Sequence, residues 1–118
     1  MKRLTKKEEE LMVILWRLER AFVKDIVAEY PDPKPHYNTI SSLVRLLQEK
    51  ELIGFKSYGT TYEYYPLLQK EEYRESVVNQ VIKDYFDDSY KEAVAFFVSG
   101  NELSAEEQEE LIRLIKRK

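Results

Sequence analysis

Hydrophobic positions recur at helical spacing along most of this chain and change to alternation only once. Residues 37–47, Tyr-Asn-Thr-Ile-Ser-Ser-Leu-Val-Arg-Leu-Leu, carry the helical pattern most cleanly. Ile40, Leu43, Val44 and Leu47 fall at i, i+3, i+4 and i+7 and share one stripe that wants burial. Asn38, Ser41, Ser42 and Arg45 are left facing outward. A solvated helix face is normally filled with Lys and Glu, whose i,i+4 pairs support it. Short hydroxyls and amides are poor helix formers, so their concentration here points to a second constraint. A helix that lies in a DNA groove supplies one, because short polar side chains reach base edges and phosphates.

The flanking pattern predicts the rest of the architecture. Thr5-Lys6-Lys7-Glu8 is a capping box that opens a helix carrying Leu11, Ile14, Leu15 and Leu18, with Met12 and Trp16 beside them. Trp16 is expected in the core, where large aromatics usually sit. Ala21-Phe22 reads as an extended link, and Val23 to Tyr30 as a second, shorter helix. Pro31, Pro33 and Pro35 forbid a helix and make a stiff turn. The helix containing residues 37–47 follows and runs to about Glu51. His36 is expected at the turn or the start of that helix. Leu52 to Tyr58 and Thr61 to Leu67, rich in β-branched and aromatic residues, flank Gly59-Thr60 as a hairpin.

The rear of the chain is helical throughout. Lys70 to Phe86 carries Tyr73, Val77, Val81 and Tyr85 on one stripe, widened by Val78 and Ile82. Asp88 to Val98 carries Tyr90, Ala93, Val94, Phe97 and Val98, and Gly100-Asn101 breaks the pattern. Ser104-Ala105-Glu106-Glu107 is a second capping box, opening a helix with Leu111, Leu114 and Ile115 inward. Three helices, a tight turn before the third and a two-stranded hairpin spell a winged helix-turn-helix. The predicted fold is therefore mainly α with a small β-hairpin. A winged helix DNA-binding domain spans residues 1–69, and a three-helix dimerisation region spans residues 70–118. A helical unit that small struggles to bury enough surface alone. Its wide apolar stripes are expected to pair with those of a second copy through Val77, Val81, Tyr85, Val94, Phe97, Leu111, Leu114 and Ile115.

Composition changes the picture in two places. The net charge of −3 looks wrong for a nucleic-acid binder, but it is unevenly spread. Residues 1–70 hold twelve Lys and Arg against ten Asp and Glu, and residues 71–118 hold seven against twelve. Only the front half is suited to approach phosphate. The chain has no cysteine and one histidine, which excludes a disulfide framework, a thiolate metal site and a cysteine nucleophile. No run of 18 apolar residues and no signal pattern is present, so a cytoplasmic protein without membrane insertion is expected.

With these elements in order, the sequence resembles the penicillinase-repressor (BlaI/MecI/CopY) family of bacterial regulators over essentially its whole length. The resemblance rests on residues 4–16 (Leu-Thr-Lys-Lys-Glu-Glu-Glu-Leu-Met-Val-Ile-Leu-Trp) and 38–47 (Asn-Thr-Ile-Ser-Ser-Leu-Val-Arg-Leu-Leu). It continues through residues 62–67 (Tyr-Glu-Tyr-Tyr-Pro-Leu) and 103–111 (Leu-Ser-Ala-Glu-Glu-Gln-Glu-Glu-Leu). It implies a homodimer that binds a palindromic double-stranded DNA operator and blocks transcription, with no cofactor. By position, the reading surface would be Tyr37, Asn38, Thr39, Ser41, Ser42 and Arg45. Lys56, Tyr58, Thr60 and Tyr62 on the hairpin would touch the flanking backbone. Two of these sets have a second reading that stays open: Tyr58 and Tyr62 as a cross-strand pair, and Thr39 as a helix-start hydroxyl serving the backbone.

Two departures limit what the resemblance implies. The copper-sensing branch carries a C-terminal cysteine cluster, which is absent here. The antibiotic-resistance branch is inactivated by a membrane sensor metalloprotease that cuts an Asn-Phe bond in the fifth helix. The matching positions in this chain are Phe96-Phe97, so any such cut would follow a changed specificity. Other functions compete less well. A winged helix that binds a protein instead of DNA is favoured by the acidic total and the single arginine of the reading face. An enzyme lacks support, because the acidic runs lie in capping boxes, where carboxylates favour helix N-termini. No phosphate loop, activated nucleophile or metal-ligand spacing occurs.

Overall fold

The computed structural model describes residues 3–100 and 104–116, except for the side chains of Leu111, Ile112, Leu114, Ile115 and Lys116. Six helices and one hairpin follow in the order α1 (Lys6–Leu18), α2 (Val23–Ala28), α3 (Tyr37–Glu49), β1 (Ile53–Tyr58), β2 (Thr61–Pro66), α4 (Lys70–Phe86), α5 (Tyr90–Gly100) and α6 (Ala105–Lys116). The chain divides into two compact units, Met1–Arg74 and Glu75–Lys118, so the division falls inside α4.

The first unit is a winged helix. Thr5 caps α1 as a full capping box: its hydroxyl accepts from the Glu8 amide, and the Glu8 carboxylate accepts from the Thr5 amide. Leu11, Met12, Ile14 and Leu15 then turn into the core. Ile40, Val44 and Leu47 of α3 join them, with Ile26 of α2 and Ile53 of β1. Leu43, the fourth member of the α3 stripe, is half-buried. Strands β1 and β2 pair antiparallel from Ile53 opposite Pro66 to Tyr58 opposite Thr61. Gly59, with φ +65°, takes the first position of the two-residue turn, as a type II′ hairpin requires. Ala21 adds a one-residue third strand, exchanging both backbone hydrogen bonds with Tyr64 at 2.9 and 2.8 Å. The start of α4 also belongs to this unit. Tyr73 is buried there, its ring 5.9 Å from that of Trp16. Its hydroxyl accepts from the Leu4 amide and donates to Glu9, both at 3.1 Å.

Several expectations need correction. Trp16 is half-buried, not a core residue, because its indole N–H must reach the Leu68 carbonyl at 2.8 Å near the surface. Helix α2 stops at Ala28, two residues earlier than its apolar pattern suggests. The Lys34 ammonium takes the freed carbonyls of Ala28 and Tyr30 at 2.9 and 2.8 Å. Helix α5 starts at Tyr90 because Asp87 and Asp88 take left-handed backbone and Ser89 then caps Glu92. Gly100 is the last residue of α5 instead of a break after it.

The second unit is sparsely packed on its own. Among its described residues only Ile82 and Ala93 are buried. Val77, Val81, Val94 and Phe97 are half-buried, while Val78, Tyr85 and Phe96 are exposed. Phe86, Phe96 and Phe97 form an aromatic cluster with centroids 5.5 to 6.3 Å apart. Tyr90 donates to the Asn79 amide oxygen at 3.2 Å. The side chains of Leu111, Leu114 and Ile115 lie outside the described residues.

Candidate nucleic-acid interface

Helix α3 begins with His36, whose Nδ1 accepts from the Asn38 amide at 3.1 Å. The imidazole does the work usually given to Ser or Asp at this position, in keeping with the expected helix-start role. The choice has an electrostatic consequence. Helices α1, α2, α4, α5 and α6 each carry an acid in the first turn, and α3 carries none. An N-terminus without a nearby acid keeps its partial positive charge for an incoming anion.

Along the helix, Tyr37, Asn38, Thr39, Ser42 and Arg45 are exposed and Ser41 is half-buried. Arg45 lies back along the helix with its guanidinium donating to the Ser41 hydroxyl at 3.4 Å. The contact is long, so the fork keeps donors for another acceptor. Tyr37, Asn38, Ser41 and Arg45 form one wall of an open groove of about 860 Å³, and Thr60 and Tyr62 of the hairpin form part of the other. Thr39 and Ser42 are not part of that groove, nor are Lys56 and Tyr58. The Lys56 ammonium sits 5.2 Å from the centroid of the Tyr58 ring, and Tyr58 leans on Phe22 at 5.9 Å.

Both open readings are narrowed by this geometry. Tyr58 faces Thr61 across the hairpin, and Tyr62 faces Ser57, so the two tyrosines are not a cross-strand pair. Tyr62 instead meets the edge of Phe55 at 5.2 Å. The cap of α3 is His36, and the Thr39 side chain makes no hydrogen bond among the described residues. Sequence reasoning missed Lys24 and Gln48, which line the same groove. Gln48 was findable, since it lies three residues after Arg45 and seven after Ser41. Lys24 carried no signal, because only folding brings the start of α2 beside α3.

Tyr64 forms part of the groove floor. Burial pushes its phenol above the usual tyrosine range, and the nearby Arg45 charge pulls weakly the other way. No helix among the described residues is long and apolar enough to cross a membrane.

Nearly the whole chain matches a known family. The model of the penicillinase repressor family covers residues 4–117. The methicillin resistance regulatory protein MecI of Staphylococcus aureus strain N315 is 27% identical over 112 residues, covering 94% of this chain and 91% of that protein. MecI of Staphylococcus epidermidis shows the same identity and coverage. MecI of Mammaliicoccus sciuri is 27% identical over 114 residues with equal coverage. With a winged helix ahead of a helical unit and a family match over nearly its full length, the chain belongs to the penicillinase repressor (BlaI/MecI) family of transcriptional repressors.

Proposed function

We propose that this repressor acts as a cytoplasmic homodimer on a two-fold DNA operator, with α3 entering the major groove. The observation that carries the reading is the surface of α3. Among the described residues it is the one helix with no first-turn acid, and its outward face holds Asn38, Thr39, Ser42 and Arg45. Short polar side chains and one arginine suit base edges and phosphates alike. Tyr37 and Ser41 extend that face, and Lys56, Tyr58, Thr60 and Tyr62 of the wing track the flanking backbone. The second unit joins two chains, so that two α3 helices meet successive turns of the same DNA face. Release follows when that unit is broken, and a cut at Phe96–Phe97 by a membrane sensor metalloprotease would suffice. Phe96 is 60% exposed.

An electrophoretic shift on DNA from upstream of the chain's own gene, repeated across a salt series, tests the reading. The expected result is a discrete shift whose log affinity falls linearly with log salt, since each neutralised phosphate releases counterions. A winged helix devoted to protein partners has no reason to show that slope. Absence of any shift at low salt would refute repression through this surface.

A further inference from the structure

The groove between α3 and the wing has a floor that DNA reading does not explain. Tyr64 is 8% exposed, yet its hydroxyl makes no hydrogen bond among the described residues. No fully enclosed side-chain N or O there lacks a partner, so this oxygen opens onto the groove it lines. The ring is held in the core while its hydroxyl faces the groove, so the donor is fixed in place and open to an acceptor that enters there. Arg45 and Lys24 line the same groove as Tyr64, and neither has an ion-pair partner among the described residues. The walls are aromatic: Phe22, Phe55 and Tyr62, with Phe55 and Tyr62 edge to face at 88°.

From this geometry we propose that the groove binds a small aromatic carboxylate, and that its occupancy excludes DNA from α3. The acid's ring lies among Phe22, Phe55 and Tyr62, where offset or edge-on stacking is favoured. Its carboxylate accepts from the Tyr64 hydroxyl and the Arg45 fork. A volume of about 860 Å³ is within the range of small-molecule sites. Two cations line the groove against one carboxylate, Glu49, which suits a monoanion better than a phosphate dianion. The exclusion follows because Arg45 and Tyr62 serve both occupants, and this half rests on the DNA-binding reading above.

Calorimetric titration of the full chain with 2-naphthoate tests the site, with 2-naphthamide and cyclohexanecarboxylate as controls. Saturable binding of one acid per chain is expected, with both controls at least about tenfold weaker. Tyr64→Phe keeps the ring in the core and is expected to weaken the acid about tenfold while leaving the DNA shift unchanged. Arg45→Gln, on the exposed surface, is expected to weaken both. No saturable heat up to about 10 mM acid would overturn the site. So would a Tyr64→Phe variant that binds the acid normally but loses DNA, since the phenol would then serve the nucleic acid. Adding 2-naphthoate to the shifted complex should free the DNA at concentrations that track the calorimetric affinity. Acid binding that leaves the DNA bound would overturn the exclusion. A chain that binds the acid but shifts no DNA would overturn the repressor reading and the exclusion with it, and the acid site would stand.

Discussion

Glu51 holds a backbone conformation that glutamate dislikes. Its φ is +62°, just past the end of α3, where the Leu52 amide reaches the Leu47 carbonyl and the Glu51 amide reaches that of Gln48. These are the two hydrogen bonds of a Schellman ending, which glycine usually completes. Glu51→Gly is expected to stabilise the fold by about 1 kcal/mol, since the left-handed conformation costs a residue with a Cβ about that much. Urea denaturation would show it as a higher midpoint with an unchanged slope. Arg45 is the other residue whose replacement says most. Arg45→Ala is expected to weaken operator binding by roughly 1–3 kcal/mol and to relax specificity at one position if the fork reads a base. A loss that is uniform across DNA sequences would assign it to phosphate instead.

Between elements, the ion pair that joins the start of α1 to the end of α3 sets an acid limit on stability. Glu8 is buried, and burial alone would push its carboxyl up. The Lys50 ammonium at 2.6 Å, with the Thr5 amide and hydroxyl, outweighs that and holds it below the usual carboxylate range. A carboxyl depressed in the folded state stabilises above its unfolded value, about 4.3, and that stability is lost as pH falls through the lower folded value. Lys50→Met is expected to cost about 1–2 kcal/mol at neutral pH, a modest figure because Lys50 is half exposed. The difference from the parent chain should shrink towards zero in acid, which denaturation at pH 7, 5 and 3 would show. The Thr5–Glu8 box was legible in the sequence, because capping is local and its spacing is fixed. So was the α3 stripe through Ile40, Val44 and Leu47, and the hairpin register set by Gly59-Thr60. Lys50 as the partner of Glu8 was not, since 42 residues separate them. Tyr73 was misleading for the same reason: its spacing joins it to Val77 and Val81, but its ring and hydroxyl go to Trp16, Leu4 and Glu9.

At the scale of the whole molecule, what needs explaining is how a reading face with a single arginine could hold an operator. On the proposed reading one head makes few contacts, so affinity would depend on joining two, and the joint would supply an effective concentration worth about two to four orders of magnitude. The second unit is suited to that task. Its described residues bury only Ile82 and Ala93, while Tyr85 is 78% exposed beside half-buried Val77 and Val81 on the same helix. An apolar stripe this open on so small a unit favours a second copy as its cover. Tyr85→Glu tests the joint without touching either head, because a side chain this exposed contributes little to the fold of its own chain. Light scattering is expected to show a monomer at micromolar concentration, with helix content preserved by circular dichroism. The same variant should bind operator DNA roughly a hundredfold more weakly than the parent chain. A dimer that persists would remove Tyr85 from the interface, and a monomer that binds DNA as tightly as the parent would show that each head holds the operator by itself.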